Sequence, residues 1–364
     1  ELQRVKDGVP VKKISARRVL QEIAFGSWRV GDPAVQYETN IQEMHTSKNS
    51  GRINSSNPCS EYMFLDDTSC NLNSHNLLAY ADEKGNFDID AFKRAVWLTT
   101  IAADIINDAA SYPIRDIAEI SPEFRTTGVG YANIGALLMR KGIPYDSEKG
   151  RALAGAITAL MTGTAYEASA DMAEKIGTFT HFEFNRKPML DVMKKHRKNL
   201  ESILWEHVPE DLKDAAYNSW GRVIERGENV GFRNAQTTVL APTGTIAYLM
   251  GCDTTGIEPA ISLKIKKNLA GGGTLHLANR EVENALGNLG YNEQEIRDIS
   301  KHIGEKNTVR DAPHIKSEHL SIFDTAFGNK NGVGAIPFDG HVKMIGAVQP
   351  FLSGAVSKTC NLPD

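Results

Sequence analysis

The sequence predicts an α/β fold, and two observations carry that prediction. Stretches with helical spacing of apolar residues alternate along the chain with short apolar runs that read as buried strands. The clearest junction is RNAQTTVLAPTGTIAYL (233–249), a buried strand, a tight turn at Pro242-Thr243-Gly244-Thr245, then a helix start. No repeat and no linker rich in Pro, Gly or Ser interrupts the 364 residues, so 1–364 reads as a single domain.

The elements follow in order. SARRVLQEIAFGSW, from Ser15, is a Ser-capped helix that Gly31-Asp32-Pro33 breaks, and AVQYETN (34–40) follows as a short strand. A polar loop ending at Ser56 leads into NPCSE (57–61), read as an extended segment. DIDAFKRAVWLTTIAADIINDAA, from Asp88, is a long helix with an Asp cap. In RTTGVGYANIGALLMRKGIPY (125–145) a Gly-rich turn feeds a helix. Residues 147–177 form a very long helix whose Ala and Gly content predicts close packing on its neighbours. Two further helical stretches lie within 188–226, and Asn279 to Leu289 and Glu293 to Ile303 are helical. HVKMIGAVQPFLSGAVSKTCNLP (341–363) is a helix followed by a final short strand.

Composition excludes several classes. A net charge of −4 argues for neither a nucleic-acid groove nor an anionic membrane surface, so neither partner is expected. No apolar run approaches the ~18 residues of a spanning helix, and ELQRVKDGVPVKK is not a signal peptide. Four cysteines in a chain this long are no secreted disulfide scaffold, so a cytoplasmic location is expected. The chain opens on Glu1 without a starting methionine, like the middle of something longer.

Two of the four cysteines lie close together, Cys59 in NPCSE and Cys70 in DDTSCNL. Alternate residues of an extended segment share a face, which would line up the Asn57 amide, the Cys59 thiol and the Glu61 carboxylate while Pro58 and Ser60 point away. Such a trio could hold a small polyol, exchange a proton and do sulfur chemistry. An isolated cysteine is more often a small buried hydrophobe, and Cys70 rises above that only by its nearness to Cys59. Zinc is not expected, because the cysteines lack C-x₂₋₄-C pairing and the ten histidines are scattered. A dinucleotide fingerprint at 128–133 fails, since its third glycine position is Asn133, and glycines that permit close packing are the better reading. The Pro242–Thr245 turn has the backbone donors, hydroxyls and helix start of an anion seat but lacks a Walker lysine, and an ordinary capped βα turn reads equally well.

Taken together, these residues resemble the large catalytic subunit of ribonucleotide reductase. NPCSE resembles the N-x-C-x-E finger-loop signature, GDPAVQYETNIQE the segment before it, GVGYANIGALLMRKGIPYDS a helix-turn segment, RNAQTTVLAPTGTI the phosphate turn and SGAVSKTCNLP the closing strand. The short interval between Cys59 and Cys70 and the PTGT form of the turn are similar to the adenosylcobalamin-dependent class II.

The resemblance implies a ten-stranded α/β barrel of two halves with a central finger loop, of which this chain would hold only the later part. It implies a Cys59 thiyl radical that abstracts hydrogen from C3′ of the ribose. Glu61 would be the base for the 3′ hydroxyl, and Asn57 would hydrogen-bond the sugar hydroxyls. Cys70 would be one half of the reducing dithiol. Asn57 to Glu61, with Pro58 and Ser60, and Pro242, Thr243, Gly244, Thr245 and Ile246 would line the substrate. Cys252 and Cys360 match no catalytic position and are expected in buried packing. Implied companions are adenosylcobalamin, a ribonucleotide substrate, a thioredoxin or glutaredoxin-type reductant, a second chain bearing the first half-barrel, and a homodimer of the assembled enzyme. Two alternatives stay open: a catalytically silent subunit that completes a barrel, and a glycyl-radical enzyme of the same barrel fold.

Overall fold

A computed structural model of the chain describes residues 1–268 and 274–360. Its backbone divides into two compact units, Glu1–Glu43 and Met44–Asp364. In the first, strands β1 (Leu2–Gln3) and β2 (Pro10–Lys12) pair antiparallel. Helix α1 (Ala16–Val30) starts where the Ser15 hydroxyl accepts from the Arg18 amide, and ends at Gly31, whose φ of 81° suits a residue without a Cβ. The strand expected at 34–40 is absent. Its second half instead enters helix α2 (Glu38–Glu43), with Glu38 in the first turn where an acid complements the helix dipole.

In the second unit, strand β3 (Asn71–Asn76) pairs in parallel with β4 (Thr127–Ala132), Leu72 opposite Gly128. The 237–241 segment runs parallel beside β4 through Val129 N–H to Thr237 O (2.9 Å) and Val239 N–H to Val129 O (3.1 Å). The 354–357 segment continues the series, with Leu240 N–H donating to Ala355 O (2.9 Å) and Ser357 N–H to Leu240 O (2.8 Å). Four parallel segments in chain order, each followed or preceded by helices, are the α/β architecture the sequence predicts. Among the described residues the sheet stays open, with β3 and 354–357 at its edges, so they do not close a ten-stranded barrel. The closing strand's last expected residues, Asn361, Leu362 and Pro363, lie outside the described residues.

Helices cover one face of this sheet. After β3 come α3 (Ile89–Ala109), capped by Asp88, and α4 (Arg115–Phe124). After β4 come α5 (Ile134–Arg140), α6 (Glu148–Ile176), α7 (Phe182–Asn199) and α8 (Glu210–Asn229). The long α6 is buried over most of its length, and its small residues let neighbours close in. A Cβ on Gly163 would stand 2.7 Å from the Ser219 hydroxyl of α8. Short α9 (Thr245–Leu249) follows the 237–241 segment. Next come an antiparallel pair, β5 (Lys264–Asn268) with β6 (Thr274–Ala278), and helices α10 (Arg280–Asn288) and α11 (Glu293–Lys306), around a second apolar core. Helix α12 (Phe338–Val348) leads back to the sheet.

The glycine-rich stretch differs from its expectation. It is a strand, β4, with all six residues buried, rather than a turn. Close packing is indeed what its glycines permit, but of strand on strand: a Cβ on Gly130 would lie 2.5 Å from the Val239 carbonyl oxygen. Position 133, where the fingerprint needed glycine, is an asparagine that itself adopts φ of 77°, a conformation Asn tolerates better than most residues.

Candidate active site

The NPCSE segment is a turn, not an extended strand. Ser60 N–H donates to Asn57 O (3.0 Å), Ser60 sits at φ 62°, and flanking Ser56 and Met63 bridge antiparallel. Pro58 favours that corner through its fixed φ. The Asn57 side chain closes the loop, its Oδ1 accepting from Tyr62 N–H (3.0 Å). Alternation along an extended chain therefore does not set this site, and the three groups differ in exposure. Cys59 and Pro58 are exposed at the tip, whereas Glu61 is only 2% exposed.

Glu61 is drawn in by the sheet. Its carbonyl accepts from Ala355 N–H (2.7 Å), and the absence of a side chain at Gly354 makes the approach possible, since a Cβ there would stand 2.9 Å from that oxygen. One carboxylate oxygen, Oε2, is buried with no hydrogen-bond partner. Cys70 is brought to the same place. Burial first, and the Glu61 charge second, push its thiol well above the ordinary range. Gly128 clears its seat, because a Cβ there would lie 2.6 Å from Cys70 Sγ and 2.9 Å from Val239 Cγ2. Thr238 turns its hydroxyl to Thr162 of α6 (2.8 Å), so the neighbouring Val239, and with it Cys70 and Glu61, occupy the sheet face away from that helix. Behind the loop, Tyr62 OH meets Thr68 Oγ1 (2.7 Å) and Thr126 Oγ1 (2.9 Å), and burial raises its phenol.

The Pro242–Ile246 turn follows the C-terminal end of the third strand segment. Thr243 is 5% exposed at φ 50° and its hydroxyl lies 3.2 Å from Ser74 Oγ of β3. Pro242, Gly244, Thr245 and Ile246 are exposed, and the first amides of α9 have no intrahelical acceptor. Ser74 stands four residues beyond Cys70. At a strand rise of roughly 3.3 Å per residue the turn and the Cys70–Glu61 pair are about 13 Å apart along β3, a span of nucleotide size. The structure thus brings Glu61 and Cys70 together, puts the turn at the other end of the same strand, and leaves Cys59 at the loop tip.

Cys252 and Cys360 are partly exposed rather than buried, because one follows the short α9 and the other lies past the last strand pairing. Sequence reasoning passed over Ser74 and Gln236. Gln236 is 1% exposed with both amide atoms unpartnered, 3.3 Å from the point where Gly354 would carry a Cβ. Only its place one strand start before the PTGT turn marked it. A thiol at an exposed tip, a buried carboxylate with a free oxygen beside a second thiol, and an exposed turn at a helix start can together relay a hydrogen atom, move a proton, supply electrons and seat an anion.

Residues 1–364 match the family described as ribonucleotide reductase, barrel domain. A vitamin B12-dependent ribonucleotide reductase of Rhodopirellula baltica is 49% identical over 96% of this chain and 33% of its own length. One from Streptomyces coelicolor is 46% identical over 98% of the chain and 37% of its own length. A vitamin B12-dependent ribonucleoside-diphosphate reductase of Thermoplasma acidophilum is 28% identical over 97% of the chain. The chain spans about a third of the length of the first two of these relatives.

Proposed function

Because the chain belongs to the ribonucleotide reductase family through its barrel domain, we propose that it carries the reducing centre of a vitamin B12-dependent ribonucleotide reductase. The juxtaposition of Glu61 and Cys70, at one end of the strand whose Ser74 meets the phosphate turn, is the observation that supports it. Adenosylcobalamin, when bound, supplies the radical, and the exposure of the Cys59 thiol fits a group that must be reached from outside this chain. No residue here is assigned to hold the cofactor.

In this reading the Cys59 thiyl takes the C3′ hydrogen atom of the ribose and becomes a thiol. The Glu61 carboxylate accepts the 3′-hydroxyl proton, Asn57 orients the sugar hydroxyls with the loop backbone of Pro58 and Ser60, and the 2′ hydroxyl takes a proton from one thiol of the reducing pair and leaves as water, the other thiol's hydrogen going to C2′. Cys70 and a second thiol supply two electrons and become a disulfide, after which Cys59 returns its hydrogen to C3′. Thr243, Gly244, Thr245 and Ile246, behind Pro242, hold phosphate oxygens. That second thiol comes from the rest of the enzyme, on the same polypeptide or on a second chain bearing the other half of a ten-stranded barrel. A thioredoxin or glutaredoxin-type protein regenerates the dithiol, the substrate is a ribonucleoside di- or triphosphate, and the enzyme works in the cytoplasm.

The test is a pair of serine variants in the complete reductase. Cys59→Ser should bind nucleotide and form no deoxynucleotide, since an alcohol is a poor hydrogen-atom relay. Cys70→Ser should still exchange the C3′ hydrogen but stop before reduction. Wild-type reduction by either variant would overturn the assignment of its thiol.

A further inference from the structure

The segment behind the phosphate turn is tied to the sheet by a pair of asparagines. Asn133 closes β4 in the left-handed region and is fully buried, and its side chain makes no cap on α5. Its Oδ1 instead accepts from the Asp253 and Thr254 amides, each at 2.9 Å, two successive donors of the loop that follows α9. Its Nδ2 donates to Asn76 Oδ1 (2.9 Å) at the end of β3, and Asn76 Nδ2 donates to Met250 O (3.3 Å), the residue after α9. The near end of the same turn is held by Ser74 at Thr243 (3.2 Å). The ends of two adjacent parallel strands therefore grip residues 243–254 at three points, and two of the three run through the asparagine pair.

We infer that Asn133, acting with Asn76, is a positioning residue that sets the phosphate turn. The inference rests on reading that turn as the phosphate seat. Backbone amides bind an anion well only when fixed in advance, because ordering them on binding weakens affinity. An amide side chain suits the place because its oxygen accepts from two backbone donors while its nitrogen, on the other side, donates to Asn76, which an acceptor-only aspartate cannot do. The backbone at 133 can be kept while the clamp is removed, because glycine adopts a φ of 77° without strain.

The experiment compares Asn133→Gly and Asn76→Asp in the complete reductase. The second variant keeps the acceptor for Asn133 and for the Leu78 amide (3.1 Å) and sets a carboxylate oxygen against the Met250 carbonyl in place of the amide donor. Amide exchange at Asp253 and Thr254 should quicken about tenfold in Asn133→Gly, the effect of losing one or two hydrogen bonds. With the same variant, KM for the ribonucleotide should rise ~3–10-fold with kcat within about twofold, the pattern of lost uniform binding. Asn76→Asp should give a change of the same kind. Unchanged exchange would refute the clamp, and faster exchange with an unchanged KM would refute its coupling to the substrate. A parallel Thr245→Val variant separates the two readings. If it leaves KM unaltered, the seat itself is misplaced, whatever the clamp does.

Discussion

Gly128→Ala tests how tightly the second thiol is held. The new Cβ would stand 2.6 Å from Cys70 Sγ, 2.6 Å from Leu72 Cδ2 and 2.9 Å from Val239 Cγ2. Attractive contacts between such atoms begin near ~3.5 Å, so three neighbours, two of them at the start of β3, must each retreat by roughly 0.6–0.9 Å. Val239 is held through its backbone to Val129 (3.1 Å), and Leu72 by the β3–β4 register, so Cys70, just ahead of β3, is the group that gives way. Overpacking of this kind costs about 1–3 kcal/mol. Moving a reacting thiol by about 1 Å costs on the order of 10²-fold in turnover. The assay pairs denaturant unfolding with deoxynucleotide formation. Gly128→Ala should be destabilised by that amount and nearly inactive, and adding Cys70→Ala should recover part of the stability but none of the activity. An unchanged unfolding midpoint in Gly128→Ala, or a double variant no more stable than the single one, would refute the packing argument.

Other outcomes follow from the same geometry. Glu61→Gln, which removes the proton acceptor but keeps the shape, should slow reduction ~10²–10⁴-fold with nucleotide binding retained, measured by single-turnover kinetics. Arg125 binds Asp104 (2.8 Å) and Asp108 (2.7 Å) just before β4, so Arg125→Met leaves the buried Asp104 charge with only Asn234 (2.8 Å) and a longer Arg233 contact (3.6 Å) and should cost up to about 3 kcal/mol in thermal or denaturant unfolding. Burial lowers His75 and His196 to about 4, so an unfolded chain takes up protons below about 6.5 that the folded one refuses. Stability should be level from there to about 8 and fall between about 6.5 and 4, and His196→Phe should flatten the fall in a pH series of unfolding midpoints.

Local chemistry alone determined most of the secondary structure. Ser15, Asp88 and Ser147 cap helices where their hydroxyl or carboxylate can reach an amide three residues on, a relation that involves no distant residue. The small residues of α6 announced its close packing for the same reason, since a missing side chain is a property of the residue itself. The candidate site was legible as a set of residue types, Asn57, Cys59, Glu61, Cys70 and the PTGT turn, because sulfur, carboxylate and anion-binding chemistry are written in side chains. Their arrangement was not. NPCSE reads as extended by alternation, yet it turns at Pro58, and Glu61 is buried only because Ala355, nearly 300 residues away, donates to its carbonyl (2.7 Å) across the gap that Gly354 leaves. The GVG stretch reads as a turn until the parallel neighbours of β4 are in place, when the same glycines become the means by which three strands and a thiol fit together. A strand's pairing partners and a carboxylate's burial are set by residues far away in the chain, and no pattern inside a short window encodes them.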